Sequence, residues 1–64
     1  MAKIEPVYYT VKCGDLYCGE WRGNLCLSVR PYRNMSSCDI SVANLRKRML
    51  ERHFPGHHFE VASY

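Results

Sequence analysis

The sequence predicts an α+β fold in which a three-stranded antiparallel meander is followed by one helix, packed on one sheet face, and a C-terminal strand (β-β-β-α-β). Three observations predict it. Apolar and polar residues alternate with period two through the first 30 residues, two glycine-containing pairs suit tight turns, and one amphipathic stretch ends at Pro55-Gly56. The 64 residues form a single domain, 1–64, whose core must be thin because so short a chain buries little surface.

The first half of the chain reads as three strands joined by two-residue turns. The strands and turns are, in order, residues 7–13, Gly14-Asp15, residues 16–21, Gly23-Asn24 and residues 25–30. Glycine suits these turns because it tolerates positive φ. Pro31 then ends the third strand, because proline has no N–H for the ladder.

These turns fix which side chains share a face. Cys13 lies opposite Leu16, and Arg22 lies opposite Leu25. The same register pairs Lys12 with Tyr17 and Tyr8 with Trp21 on the outer face. The predicted core face carries Val7, Tyr9, Val11, Cys13, Leu16, Cys18, Leu25, Leu27 and Val29. The outer face carries Tyr8, Thr10, Lys12, Tyr17, Gly19, Trp21, Cys26, Ser28 and Arg30.

A helix is predicted after a loop over residues 31–38. Ser36 or Ser37 is expected to cap it, and Asp39 suits the positive N-terminal end. Apolar residues at helical spacing, expected to face the sheet, are Val42, Leu45, Met49 and Leu50.

The chain after the helix is predicted to form the fourth strand. Pro55-Gly56 stops the helix, and residues 58–64 alternate again with Phe59 and Val61 inward. A right-handed crossover would lay this strand parallel to the first or third.

The four cysteines allow two interpretations, core thiols or a zinc site. They are Cys13, Cys18, Cys26 and Cys38. Zinc sites favour short C-x2-C knuckles, which this sequence lacks, and the predicted faces hold Cys18 and Cys26 apart. Small apolar core thiols are the simpler interpretation, and a zinc-stapled domain is retained as an alternative. His57-His58 is read as a surface pair, since adjacent strand residues point to opposite faces.

The outer sheet face is the first candidate binding surface. Its aromatic residues are Tyr8, Tyr17 and Trp21, interleaved with Lys12 and Arg30. Such residues serve as anchors in protein interfaces and as stacking platforms for single-stranded bases. They also simply favour strands, so a structural role, a protein interface and a nucleic-acid interface all stay open.

A basic run on the helix is the second candidate surface. It comprises Arg46, Lys47, Arg48 and Arg52. This run suits phosphates or an acidic partner protein, with Arg46, Arg48 and Arg52 as the expected contacts, although a solvated helix face carries similar charges.

Residues 42–61 resemble a helix–Phe-Pro-Gly–strand pattern of a large polyvalent protein-associated domain from phages and plasmids. The residues that carry the resemblance are Leu45, Arg46, Leu50, Phe54, Pro55, Gly56, Phe59 and Val61. The resemblance implies a mobile-element origin and brings no catalytic residues with it. In size and general character the chain also resembles anti-CRISPR proteins, which inhibit host defence complexes.

The sequence thus predicts a binding protein that is not an enzyme and needs no cofactor. It shows no phosphate-binding glycine loop and no paired-carboxylate site. Residues 1–6 lack an export signal and no apolar run suits a membrane span, so a cytoplasmic location away from membranes is expected. The predicted partner is a host protein or ribonucleoprotein complex, and direct nucleic-acid binding is the alternative.

Overall fold

The computed structural model describes residues 7–64 and confirms the predicted α+β class and element order. The strands are β1 (Tyr9–Cys13), β2 (Leu16–Trp21), β3 (Asn24–Ser28) and β4 (Glu60–Ser63), and the helix is α1 (Ile40–His53). A short 3-10 turn, Arg33–Met35, lies between β3 and α1. The absence of an export signal, predicted from residues 1–6, concerns residues outside this described part.

The four strands form one antiparallel sheet in the order β3-β2-β1-β4. The prediction that the last strand runs parallel to the first or third was wrong, since β4 pairs antiparallel with β1 from Tyr9–Ser63 to Lys12–Glu60. The cause is the loop after β3. It already carries the chain back along the sheet, because Ser37 bridges Tyr9 near the start of β1. The helix therefore returns the chain to the other end, and β4 descends beside β1.

The first predicted turn is confirmed and the second is displaced by one residue. Cys13 pairs with Leu16 around Gly14-Asp15. The second turn is Arg22-Gly23 rather than Gly23-Asn24, and Trp21 pairs with Asn24. Both central residues have positive φ, 51° at Arg22 and 78° at Gly23, as a type I′ hairpin requires. The predicted pairing of Arg22 with Leu25 was therefore wrong, and Leu25 pairs with Glu20 instead. Moving the turn by one residue shifts the pairing by two, so the predicted faces of β3 are preserved.

Asp39, rather than Ser36 or Ser37, caps the helix. Its Oδ1 accepts hydrogen bonds from the Ser41 backbone N–H at 2.9 Å and the Ser41 hydroxyl at 2.6 Å. These hydrogen bonds hold the pKa of Asp39 below its usual range. The two serines bond elsewhere: the Ser37 hydroxyl accepts from Asp39 N–H, and the Ser36 hydroxyl donates to the Tyr32 carbonyl.

The helix buries Leu50 as predicted, but the rest of its buried stripe differs from the prediction. Ala43 and Leu50 are its buried residues, whereas Leu45 and Met49 are exposed. At about 100° per residue, Leu45 lies on the side of the helix opposite Ala43. Met49 lies at the flank of the helix, half exposed beside Glu20 of β2.

The core lies between the helix and strands β1, β2 and β4. Its fully buried side chains include Val11, Cys18, Leu50 and Phe59. Because the helix lies over β1 and β4, only Leu25 of β3 packs against the core, and the predicted core residues Leu27 and Val29 are exposed. Val7, which was also predicted in the core, precedes β1 and is exposed as well.

The loop before the helix fills a gap between β1 and β2. These strands pair only at Lys12–Tyr17 and Cys13–Leu16. Beyond that point the Tyr9 N–H donates to the Ser37 carbonyl at 2.7 Å, and the Ser37 N–H returns a bond to Tyr9 at 2.9 Å. The buried Thr10 hydroxyl donates to the Met35 carbonyl at 3.3 Å. The loop thus takes the place of β2 along the first half of β1.

Candidate binding surfaces

Trp21 and Arg22 form the most exposed aromatic–cationic pair in the described part of the chain. Trp21 ends β2 at the tip of the β2–β3 hairpin, on the sheet face opposite the helix, and 64% of its surface is exposed. The Arg22 guanidinium lies 5.6 Å from the centre of the indole ring, within cation–π range. Beside the indole lies a shallow cavity of about 220 Å³, lined by Gly19, Glu20, Trp21, Cys26, Tyr32 and Asn34. We call Trp21, Arg22 and this cavity the tryptophan site.

The tyrosines of the outer face pack on one another instead of joining Trp21. Tyr8 stacks on Tyr64 with ring centres 5.8 Å apart, and Tyr17 meets Tyr64 edge to face at 6.2 Å. The Lys12 ammonium lies 5.0 Å from the centre of the Tyr17 ring. We call Tyr8, Tyr17 and Tyr64 the tyrosine cluster. The three rings thus contact one another, and Tyr17 also contacts Lys12, while Tyr8 and Tyr64 stay partly exposed.

The predicted pairing of Tyr8 with Trp21 was wrong. Tyr8 exchanges backbone hydrogen bonds with Tyr64, and the next residue, Tyr9, is bridged to Ser37. The backbone of this part of β1 is therefore already paired with Tyr64 and Ser37, and Trp21 cannot pair with it. Sequence reasoning missed Tyr64 because it assigned β4 to a parallel neighbour, whereas the antiparallel register of β1 and β4 places Tyr64 opposite Tyr8.

The predicted basic residues do not form one stripe. Arg46 is half-buried beside Glu20 and Met35, and its Nη1 has no hydrogen-bond partner among the described residues. The Lys47 ammonium lies 3.4 Å from the Glu51 carboxylate. Arg48 and Arg52 are exposed, each two residues from the buried Leu50. At about 100° per residue this spacing puts both on the helix side that faces away from the sheet.

The two candidate surfaces therefore lie on opposite sides of the molecule. The tryptophan site is on the sheet face away from the helix, and Arg48 and Arg52 are on the outermost side of the helix. Arg30 lies past the end of β3, where its N–H donates to the Ser28 hydroxyl. A single flat partner cannot cover both surfaces at once.

The four cysteines all lie within the described residues and are free thiols that do not converge. Cys18 is in the core, Cys26 is on the outer face, and Cys38 is exposed before the helix. The Cys13 sulfur lies 4.0 Å from His57 Nδ1. Among residues 7–64, no three His, Cys, Asp or Glu side chains are grouped to hold a metal ion. The alternative zinc set, Cys13, Cys18, Cys26 and Cys38, thus does not assemble, because alternation on β2 and β3 separates Cys18 from Cys26.

We expect the buried thiol of Cys18 to make folding sensitive to alkaline pH. Burial, with a smaller contribution from Cys13, raises the pKa of Cys18 from 9.0 to about 11. The folded state thus retains a proton that the unfolded state loses. The associated stability is fully present below pH 9 and is lost as the pH rises towards 11, by up to about 3 kcal/mol.

Urea denaturation between pH 8 and 11 measures this loss, with Cys18→Ala as the control. The variant starts less stable but should lose less on going to high pH. An equal alkaline loss in both proteins would show that other groups cause it.

Comparison of the chain with family models, curated proteins and solved structures finds no match. In the described part of the chain, no helix is both long and apolar enough to cross a membrane. Function is therefore inferred from the two surfaces themselves.

Proposed function

We propose that this chain is a small, non-catalytic accessory protein of phage or plasmid type that binds and inhibits a host protein or nucleoprotein complex. The observation that carries the binding role is Trp21, an indole exposed at the tip of a hairpin beside Arg22 and a shallow cavity. Trp, Tyr and Arg are the residues most enriched among the energetic anchors of protein interfaces. The mobile-element context comes from the resemblance of residues 42–61.

The exposure of Trp21 has no structural explanation within the described residues. The rings of the tyrosine cluster pack on one another, whereas the aromatic ring of Trp21 has Arg22 as its cation–π partner at the hairpin tip. A large apolar side chain left in water loses the free energy that burial would give, roughly 2–3 kcal/mol for a residue of this size. A partner that covers the indole recovers that free energy.

Direct nucleic-acid binding is the second candidate, and Arg48 and Arg52 favour it. These exposed cations lie one helical turn apart and suit neighbouring phosphates. Trp21 lies on the opposite face, however, and Lys12 is engaged by Tyr17. Base stacking on Trp21 and phosphate contacts with Arg48 and Arg52 would thus occur on opposite sides of the protein, where one nucleic-acid strand does not easily reach both. A protein partner is therefore better supported.

We expect affinity capture from host lysate to retain a partner that depends on Trp21. The tagged protein is used at micromolar concentration, in lysate with and without nuclease, as wild type and as Trp21→Ala. Leu45→Ala is the matched control, because Leu45 is similarly exposed, at 58%, and lies on the helix. Wild type and Leu45→Ala should retain the same partner, and Trp21→Ala should lose it by at least about tenfold, or 1.4 kcal/mol.

Three outcomes contradict the proposal. Capture of no partner at micromolar concentration removes the binding role, and equal capture by Trp21→Ala removes the tryptophan site. In the third outcome, the partner is lost after nuclease treatment, and Arg48→Ala and Arg52→Ala weaken capture more than Trp21→Ala does. This result would assign the function to nucleic-acid binding instead.

A further inference from the structure

Among residues 7–64, strand β3 is a sheet edge that lacks the usual protection. It is the terminal strand of the sheet, and its five residues, Asn24–Ser28, include no charged side chain and no proline. Sheet edges are normally blunted by charges, prolines, bulges or covering segments, because their free N–H and C=O groups invite another strand. The opposite edge, β4, begins with the charged Glu60.

The hairpin geometry decides which backbone groups β3 offers outward. In a two-residue hairpin the residues flanking the turn form a hydrogen-bonded pair, here Trp21 and Asn24, and the pattern then alternates. Asn24, Cys26 and Ser28 therefore direct their N–H and C=O groups to β2. Leu25 and Leu27 direct theirs to the open edge.

We propose that two copies of this chain associate by antiparallel pairing of β3 with β3, about a twofold axis at Cys26. Leu25 of each copy then exchanges two hydrogen bonds with Leu27 of the other, which satisfies all the outward groups of β3. Because both leucines lie on the inner face, each apolar side chain meets an apolar side chain. Asn24 lies opposite Ser28 of the second copy.

A second copy fits this edge because the strand is complementary to itself. A register displaced by one residue is excluded by the alternation of backbone hydrogen bonds along β3. In such a register, Leu25 and Leu27 of one copy would face residues whose N–H and C=O groups already bond to β2 of the other copy. The side of β3 that the helix leaves open carries Leu27, 42% exposed, and just beyond β3 lies Val29, 77% exposed. Pairing extends this open side into one apolar surface shared by both copies.

The dimer is expected to be weak and strengthened by salt. Five paired residues a side bury less than the 1,200–1,600 Å² or so of a stable interface. Arg22 and Arg30 lie just beyond the two ends of β3, so pairing brings Arg22 of each copy near Arg30 of the other, and salt screens this repulsion. We therefore expect the dimer to form only at high protein concentration.

Cys26 supplies a sharp test, because the axis makes it a directly opposed, non-hydrogen-bonded pair. Cα atoms in such pairs lie about 4.5 Å apart, within the range that a disulfide spans. Diamide, which accepts the two electrons and two protons released by two thiols, should convert the protein at about 100 μM to a dimer linked through Cys26. Peptide mass spectrometry identifies the linked residues. Cys26→Ser should abolish this species, and Cys38→Ser should retain it.

Leu27→Lys separates specific pairing from random collision. It should lower the yield of the Cys26-linked dimer by about tenfold, because both symmetric leucine pairs are lost. Leu45→Lys, an equally charged change at another exposed leucine, should leave the yield unchanged. Sedimentation equilibrium with all thiols reduced should show concentration-dependent dimerisation that only Leu27→Lys removes.

The proposal is overturned if the protein sediments as a monomer at millimolar concentration, if the main cross-link runs through Cys38, or if Leu27→Lys does not lower the Cys26 cross-link. Trp21→Ala should dimerise like wild type, because Leu25 and Leu27, which make the pairing contacts, lie on the sheet face opposite the indole. The dimer and the tryptophan site can therefore fail independently.

Discussion

Phe59→Ala is expected to remove much of the chain's stability at 25 °C. Phe59 is the largest fully buried side chain of the core, 1% exposed, and packs with Val11, Cys18 and Leu50. Truncating such a side chain costs about 3–5 kcal/mol, because it removes apolar burial and leaves a cavity. A domain of this length has only about 3–10 kcal/mol of stability in total.

Far-ultraviolet circular dichroism and urea denaturation measure this effect. Leu45→Ala is the control, since Leu45 is exposed on the same helix that covers Phe59, and it should change the free energy of unfolding by no more than about 0.5 kcal/mol. A cooperative transition in Phe59→Ala with a loss below about 1 kcal/mol would mean that the core is not centred on Phe59.

The second large effect is expected from Gly19→Ala, which adds only one methyl group. A Cβ at this position would lie 2.8 Å from Tyr32 Cδ2, 2.9 Å from Cε2 and 3.0 Å from Cγ. Tyr32 cannot easily withdraw, because its carbonyl accepts the Ser36 hydroxyl bond and the following residues are bridged to β1 through Ser37. The added methyl should therefore cost about 1–3 kcal/mol, although alanine is otherwise the better strand residue.

A double-mutant cycle with Tyr32→Ala tests the cause. If the clash with the ring is responsible, Gly19→Ala should cost little or nothing once Tyr32 has been truncated, so the two changes should be strongly non-additive in urea denaturation. Additive losses, or a stabilising Gly19→Ala, would show that the ring moves freely away from β2.

The strands and the first turn were predictable because they depend on neighbours in sequence. Alternation with period two and the Gly14-Asp15 pair place Cys13 opposite Leu16 and Lys12 opposite Tyr17, as found. For the second turn, Gly23 can be either the first residue of a Gly23-Asn24 turn or the second residue of an Arg22-Gly23 turn. Local sequence does not choose between them, since both keep Leu25 and Leu27 on the inner face.

The candidate site was predicted in composition but not in arrangement. Trp21 lies on the outer face as expected, yet its neighbours are Arg22 and the cavity of the tryptophan site, not Tyr8. Tyr8 instead stacks on Tyr64, a contact between residues near opposite ends of the chain. Such pairing depends on the order of strands in the sheet, which periodicity does not encode.

The element types, their order and the two faces of each strand follow from the amino-acid sequence alone, because side-chain periodicity and turn chemistry act over a few residues. Tertiary structure alone decided that the loop after β3 fills the gap beside β1, that β4 runs antiparallel to β1, and that α1 buries Ala43 and Leu50 rather than Leu45 and Met49. These choices follow from where a short helix can cover a four-stranded sheet. It covers β1 and β4, and so it leaves Leu27 exposed on the inner side of β3.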